Sequence, residues 1–372
     1  MTLSHILMFT AHRLSGRYPW ATEHAQQAYG DFVRIAPNEL LFATSQASID
    51  IYTPHVKNHE SFIKSDINDR GDEHGGILFE RDPARHRIVA KQLAPAFSSR
   101  ASMAKEPVMH MYIDAFVDAI GASMAQQTEG IDFSKWCNWL AMDTSADMAY
   151  NRKMHEMKDM RNSAYLEVLL GFNAFTTLEQ VSKRFPYVSR VIKPALFTYL
   201  PKSSLKSIPE MVRTGREEVQ RRIRQKGNTE HLDFFEQMVP ARDPMPTDPK
   251  EMRHLEQVAS QLLFAGYEPI SSWYYSTLFF LLKDRAACEI LAAEVRGAFK
   301  SYKGISIQAL ASLKYLNACL EESLRLFPSN NTGLPRISPG AVVDGKYIPK
   351  GVGLPLSHVT NQKDKEEDTV AF

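Results

Sequence analysis

The sequence is poor in cysteine. Its 372 residues contain three, Cys137, Cys288 and Cys319. None forms a C-x-x-C pair and none lies beside histidine at metal-ligand spacing, so the pattern argues against a zinc site or a disulfide framework and fits a reducing compartment. Charge of either sign is not in excess: 44 Lys and Arg stand against 43 Asp and Glu, which removes any electrostatic case for nucleic acid as a partner. Long apolar runs are missing too. The run near the N-terminus (Leu3, Ile6, Leu7, Met8, Phe9) is ended by His12 and Arg13, well short of the ~20 residues that span a bilayer. It also lacks the flanks of a signal peptide, which leaves at most a weak interfacial contact. No internal repeat or low-complexity tract is apparent. The G-x-G-x-x-G, P-loop, H-E-x-x-H and G-x-S-x-G patterns are all absent.

What is present suffices for a large core. The apolar fraction is 44%, and the chain carries 20 Phe, 14 Tyr and 4 Trp. Aromatics in that number suit packing around a large flat apolar ligand, and suit any core equally well. The length fits one large domain or two ordinary ones.

Along the chain, Phe32 to Ile35 and Leu40 to Phe42 flank a Pro37-Asn38 turn and predict a hairpin. Ser45 to Tyr52 reads as a helix with Ser45 as N-cap. Helical patterns follow over Arg85 to Phe97, Glu106 to Met124, Asp132 to Asn151, Ala164 to Leu170 and Met211 to Lys226. Pro186, Pro194, Pro201 and Pro209 punctuate the middle, and Ala241 to Lys250 is a loop. The longest helix is expected over Glu251 to Leu282, with Leu255, Val258, Ala259, Leu262 and Leu263 at helical spacing. Ala286 to Tyr302 and Ser306 to Phe327 complete the helices. Extended runs then cover Leu334 to Ile337, Ala341 to Val343 and Tyr347 to Pro349, with an Asp344-Gly345 turn. The expected fold class is mainly α with a small β portion drawn from both ends of the chain.

Five segments, in order, carry a resemblance. Lys314-Tyr315-Leu316-Asn317-Ala318-Cys319-Leu320-Glu321-Glu322-Ser323-Leu324-Arg325 places Glu322 and Arg325 on one helix face in apolar surroundings, where a charged pair needs further partners. Phe264-Ala265-Gly266-Tyr267-Glu268-Pro269 lies on the longest helix, and Pro269 removes the N–H that would bond the Ala265 carbonyl, which predicts a kink. The others are His86-Arg87-Ile88-Val89-Ala90-Lys91, the hairpin at 29–42, and Leu334-Pro335-Arg336 with Tyr347-Ile348-Pro349. Together they resemble the cytochrome P-450 (haem-thiolate monooxygenase) family in its fungal form. The matching segments are the K helix (306–327), the I helix (251–282), the C helix (85–97) and the flanking strands. Residues 18–360 then form one such domain, between a short N-terminal segment (1–17) and a charged tail (361–372).

The resemblance implies a haem cofactor, an apolar small-molecule substrate, an NADPH-dependent reductase as partner, and a place in fungal secondary metabolism. It implies Glu322 and Arg325 as a structural pair and His86, Lys91 and Arg336 as ligands of the haem propionates. It makes Asn331, Thr332, Gly333 and Leu334 pocket-lining. It makes Glu268 a proton-relay residue beside Gly266, with Pro269 where the family has threonine. Cytoplasm, or the cytoplasmic face of the endoplasmic reticulum, is the expected place.

One departure is large. The family's F-x-x-G-x-x-x-C-x-G loop, whose cysteine binds the iron, does not occur in these 372 residues. The sequence therefore predicts an incomplete fold and a chain inactive as written. It also predicts an exposed apolar face around Leu262, Leu263 and Leu278. A non-catalytic binding remnant, and a haem protein that does not activate dioxygen, stand as alternatives.

Overall fold

The computed structural model describes residues 10–53, 62–66, 75–126, 130–185, 202–225, 227–239, 247–329 and 333–356. The apolar run at 3–9, Pro186, Pro194, Pro201, most of the loop at 241–250, Asn331, Thr332 and the charged tail lie outside them. The strands are β1 (Phe32–Ala36), β2 (Glu39–Phe42), β3 (Ile63–Lys64), β4 (Arg336–Ile337), β5 (Ala341–Val343), β6 (Lys346–Ile348) and β7 (Gly353–Leu354). The helices are α1 (Tyr18–Tyr29), α2 (Ser45–Tyr52), α3 (Pro83–Leu93), α4 (Ser99–Gln126), α5 (Phe133–Tyr150), α6 (Glu156–Asp159), α7 (Ala164–Arg184), α8 (Lys202–Arg224), α9 (Pro249–Lys283), α10 (Arg285–Ala298), α11 (Ile307–Leu310) and α12 (Lys314–Leu326). The mainly helical expectation holds, and the strands do come from both ends of the chain. Among the described residues no helix is long and apolar enough to cross a membrane.

The chain divides into two compact units: Met1–Arg87, Val168–Glu210 and Asn330–Ala371 form one; Ile88–Glu167 and Met211–Ser329, with Phe372, form the other. The first unit holds a five-stranded sheet of order β1-β2-β7-β4-β3 and the hairpin β5-β6. The hairpin β1–β2 has the expected antiparallel register, Val33 opposite Leu41 and Phe32 opposite Phe42. Its second strand is apolar on consecutive residues because both faces are covered. Leu40 and Phe42 join Ala47, Ile51, Val343, Ile348, Leu354 and Leu356 on one side, while Leu41 packs with Val33, Ile35, Tyr18 and Ala25 on the other. Gly353 on β7 is needed for close approach: a Cβ there would meet Asn38 O at 3.3 Å and Glu39 Cγ at 3.2 Å. The cap of α2 is Thr44, whose hydroxyl accepts the Ala47 N–H at 3.1 Å, and not Ser45. The two are adjacent good capping residues, and only the backbone conformation distinguishes them.

In the second unit α5 runs against α9. Its ends are set locally: the Asp132 carboxylate caps the start, and Asn151 closes the end in the left-handed conformation at φ 53°. α9 begins at the Asp248 cap and passes through Pro269 as one helix. The predicted helix over Ser306 to Phe327 is two, α11 and α12, broken at 311–313. Leu313 stands as the N-cap of α12 without a side-chain hydrogen bond, and Glu294 reaches from α10 to accept the N–H groups of Tyr315 and Leu316 at 3.0 and 2.8 Å. Trp273 of α9 donates to Leu320 O and Ser323 Oγ of α12, each at 3.1 Å. The expected exposed apolar face is only partly seen. Leu278, Phe279 and Leu282 are exposed, but Leu263 is 2% exposed and belongs to the core.

Charge is buried in this unit. Arg222 is fully enclosed and grips Asp233 through Nε at 2.5 Å and Nη2 at 3.0 Å, with Glu236 a second partner at 2.8 Å. Asp143 accepts the N–H groups of Glu156 and Met157 at 2.9 and 3.0 Å, which fixes the short α6 after His155, itself left-handed at φ 62°. Glu156 accepts the Ser163 N–H at 2.9 Å, but its Oε2 is buried without a hydrogen-bond partner among the described residues. Burial, with the nearby Asp143 charge, raises the Glu156 pKa to about 7.

Two outcomes follow. Arg222→Leu strands Asp233 as an uncompensated buried charge, so unfolding stability measured by urea should fall by about 3–5 kcal/mol. Glu156 has a folded pKa above its unfolded value, so its neutral form favours the fold. Stability is fully present below about pH 4.5 and is lost as pH rises to about 7, by roughly 3 kcal/mol in all. Glu156→Gln should therefore stabilise the chain relative to wild type increasingly from pH 5 to 7 and uniformly above. A difference independent of pH would mean that Glu156 ionises normally.

Candidate anion site

β3 and β4 pair antiparallel with Lys64 directly opposite Arg336. Two like charges in facing positions of such a pair oppose each other, and here both are partly withdrawn from water. His86, from the first turn of α3, joins them: its pKa is lowered by burial and then by the charges of Lys64 and Arg336. Burial and Arg336 likewise push Lys64 down to about 8. Burial lowers Arg336 as well. The three cationic groups thus crowd one another from three separate stretches of sequence.

Each is held in place. The Lys64 ammonium donates to Ile77 O at 2.9 Å and Leu78 O at 2.7 Å. The Arg336 guanidinium lies 5.3 Å from the centre of the Tyr52 ring, a favourable cation–π arrangement. Tyr52 is in turn fixed by donating its hydroxyl to Leu334 O at 2.8 Å, and burial raises its pKa to about 12, so the ring stays neutral. The nearby acid, Glu80, is buried and pairs with Arg85 at 3.2 Å. Among the described residues Arg336 has neither a carboxylate nor a hydrogen-bond acceptor of its own. A half-buried guanidinium of this kind, facing a lysine and beside a histidine, is arranged to receive an external anion.

Of the residues the sequence singled out, His86, Arg336 and Leu334 come together here, and Gly333 is near in sequence, its N–H donating to Leu356 O at 3.2 Å. Lys91 lies on α3 five residues beyond His86, exposed and turned about 140° around the helix. Lys64 and Tyr52 were missed. Their short segments carry no motif, and only strand pairing and the fold of α2 bring them to Arg336.

Glu268, Gly266 and Pro269 belong to the second unit. Glu268 is half-buried and its pKa is raised by that burial. Gly266 has a packing reason for its lack of a side chain, since a Cβ would meet Ser145 Oγ of α5 at 2.9 Å. Next to it, Asn138 of α5 accepts from Tyr267 at 3.2 Å and from Ser271 at 2.5 Å. Glu322 and Arg325 form a two-pronged pair, both bonds 2.6 Å.

No group of three or more His, Cys, Asp or Glu able to hold a metal occurs among the described residues. Cys137 is fully buried and its thiol is pushed up to about 12 by that burial. The Cys319 thiol is raised too, by burial and then by Glu294 and Asp284. Metal ligation requires the thiolate, and these environments disfavour it.

The family model for cytochrome P-450 matches residues 3–367. The chain is 51% identical over 347 residues to cytochrome P-450 monooxygenase TwmD of Talaromyces wortmannii, covering 93% of this chain and 67% of that protein. It is 30% identical over 359 residues to cytochrome P-450 monooxygenase btcC of Colletotrichum orbiculare, covering 95% and 67%. It is also 30% identical over 362 residues to cytochrome P-450 monooxygenase BOA3 of Botryotinia fuckeliana, covering 97% and 70%.

The facing cations give a stability prediction. Arg336→Gln removes an unmatched charge from opposite Lys64, so the ligand-free chain should be unchanged or up to about 1 kcal/mol more stable in urea at low salt. A clear loss of stability would mean that Arg336 holds the sheet together instead.

Proposed function

Because the chain belongs to the cytochrome P-450 family, we propose that Arg336, His86 and Tyr52 form the seat for the propionate carboxylates of haem. We propose further that its parent reaction is the family's insertion of one oxygen atom from dioxygen into an apolar small molecule of fungal secondary metabolism, with electrons from an NADPH-dependent reductase. The observation that carries this reading is the half-buried Arg336 guanidinium facing Lys64 with no anion of its own among the described residues. Haem would supply a dicarboxylate to that site, and its iron would supply the redox chemistry.

The two ends of the cofactor are matched unequally. The carboxylate end fits the cradle: Arg336 offers a planar fork of donors, the Tyr52 ring orients it, and His86 is held close enough to both cations for its proton affinity to respond to them. The iron end does not fit the thiols of Cys137 and Cys319. Cys137 is enclosed on α5, and Cys319 lies on α12, where burial and then the charges of Glu294 and Asp284 oppose a thiolate. We assign no step of oxygen chemistry to the 372-residue polypeptide, and read it as inactive in this form. Glu268 remains the candidate proton carrier. Burial favours its protonated form, while Pro269 brings no hydroxyl to pass a proton on. Asn331, Thr332, Gly333 and Leu334 are the candidate substrate contacts. The unfavourable thiol environments also support a second reading, a binding protein that takes a porphyrin or another apolar acid without turning it over.

The purified chain titrated with haem should bind it and give no thiolate-type absorption band with carbon monoxide after reduction. Appearance of that band would show that one of the three thiols ligates iron. Arg336→Gln should weaken binding at least about tenfold, the loss of one charge-assisted contact. Equal affinity in the variant would remove the cradle from the reading.

A further inference from the structure

Lys64 is the least settled group of the cradle. Its ammonium stands opposite Arg336 across β3–β4 and is satisfied by two neutral carbonyls, Ile77 O and Leu78 O, and not by an acid. The groups facing it are few. Arg336 comes from β4 and repels it, while His86 comes from α3 and is itself depressed by burial and by the lysine's charge. Tyr52 of α2 is neutral. Glu80 attracts it but is already paired to Arg85, whose Nε also lies 3.5 Å from Asp82. Arg81 adds a further cation, its Nε donating to the Lys64 carbonyl at 3.2 Å. The balance of neighbours is therefore positive, and a carboxylate entering beside Arg336 would reverse it.

We propose that Lys64 is a third cation of the carboxylate cradle and that the cradle takes up its carboxylate together with a proton, held on Lys64 Nζ. This rests on the seat proposed above and extends it to a residue and a coupling. In the ligand-free chain the ammonium is easily discharged, its pKa lowered to about 8 by burial and Arg336. An ionised carboxylate restores its charge, so the proton comes from solvent and binding tightens as pH falls through that region. His86, also depressed by its neighbours, takes its own proton at lower pH and does not contribute above neutrality.

The test is fluorescence titration of the 372-residue chain with metal-free protoporphyrin IX, whose propionates stay ionised from about pH 7 to about pH 9. Omitting the metal separates the carboxylate end from any question of iron. Wild type should bind about tenfold tighter at the lower pH, as expected when one group of pKa about 8 must be protonated. Calorimetry near pH 8.5 in two buffers of different ionisation enthalpy should report proton uptake by the wild-type chain itself. Lys64→Arg carries a permanent charge, and should bind tightly with the pH dependence gone. Lys64→Gln should bind weakly at every pH. Binding with no pH slope and no proton uptake, or a slope that survives in Lys64→Arg, would overturn the coupling and leave the seat intact. Binding by wild type that is no tighter than by Arg336→Gln would overturn the seat and the coupling together.

Discussion

Two cations, Lys64 and Arg336, face each other across β3 and β4, and the contacts around them are organised by that opposition. A sheet does not gain by placing Lys64 opposite Arg336. The surroundings hold the arrangement: two backbone carbonyls satisfy the ammonium, the Tyr52 ring lies against the guanidinium, and Tyr52 is itself tied to Leu334 O. Among the described residues no carboxylate pairs with Arg336, and a porphyrin's carboxylates would be a chemically apt complement. Burial and the neighbouring positive charge lower the proton affinity of Lys64 and of His86, so under the proposed reading anion recognition and proton balance would be one property of this corner of the first unit.

The second unit treats buried charge differently. Arg222, Asp233 and Glu236 satisfy one another within the protein and leave nothing for a ligand. Asp143 is likewise spent on the N–H groups that start α6. Glu156 is the exception, with one carboxylate oxygen enclosed and unbonded among the described residues, and burial raises its pKa to about 7. The contrast separates ionic groups whose partners are internal from Arg336, which has no carboxylate partner among the described residues.

Much of this is legible in the sequence. The hairpin β1–β2, the Asp344-Gly345 turn and the long helix α9 declared themselves through period and turn chemistry. The cap residues Asp132 and Asn151 sat where the α5 pattern began and ended. Boundaries failed where neighbours decided them. α7 and α8 are longer than their local patterns, and the stretch from Ser306 to Phe327 breaks because Glu294, from another helix, caps the start of α12. Leu263 was expected on one exposed apolar face with Leu262 and Leu278, yet Leu263 is buried and Leu278 exposed.

For the site, the sequence alone determined the residue types and the family. Arg336, His86 and the Glu322–Arg325 pair stand at recognisable positions, and the absence of an F-x-x-G-x-x-x-C-x-G run is plain from the letters. Only the tertiary structure decided that Lys64 and Tyr52 belong with Arg336. A lysine in a short extended run resembles any surface lysine until a strand from the far end of the chain is laid against it. Charge recognition depends on distance in space, and separation along the chain says nothing about that distance until the backbone has closed the sheet.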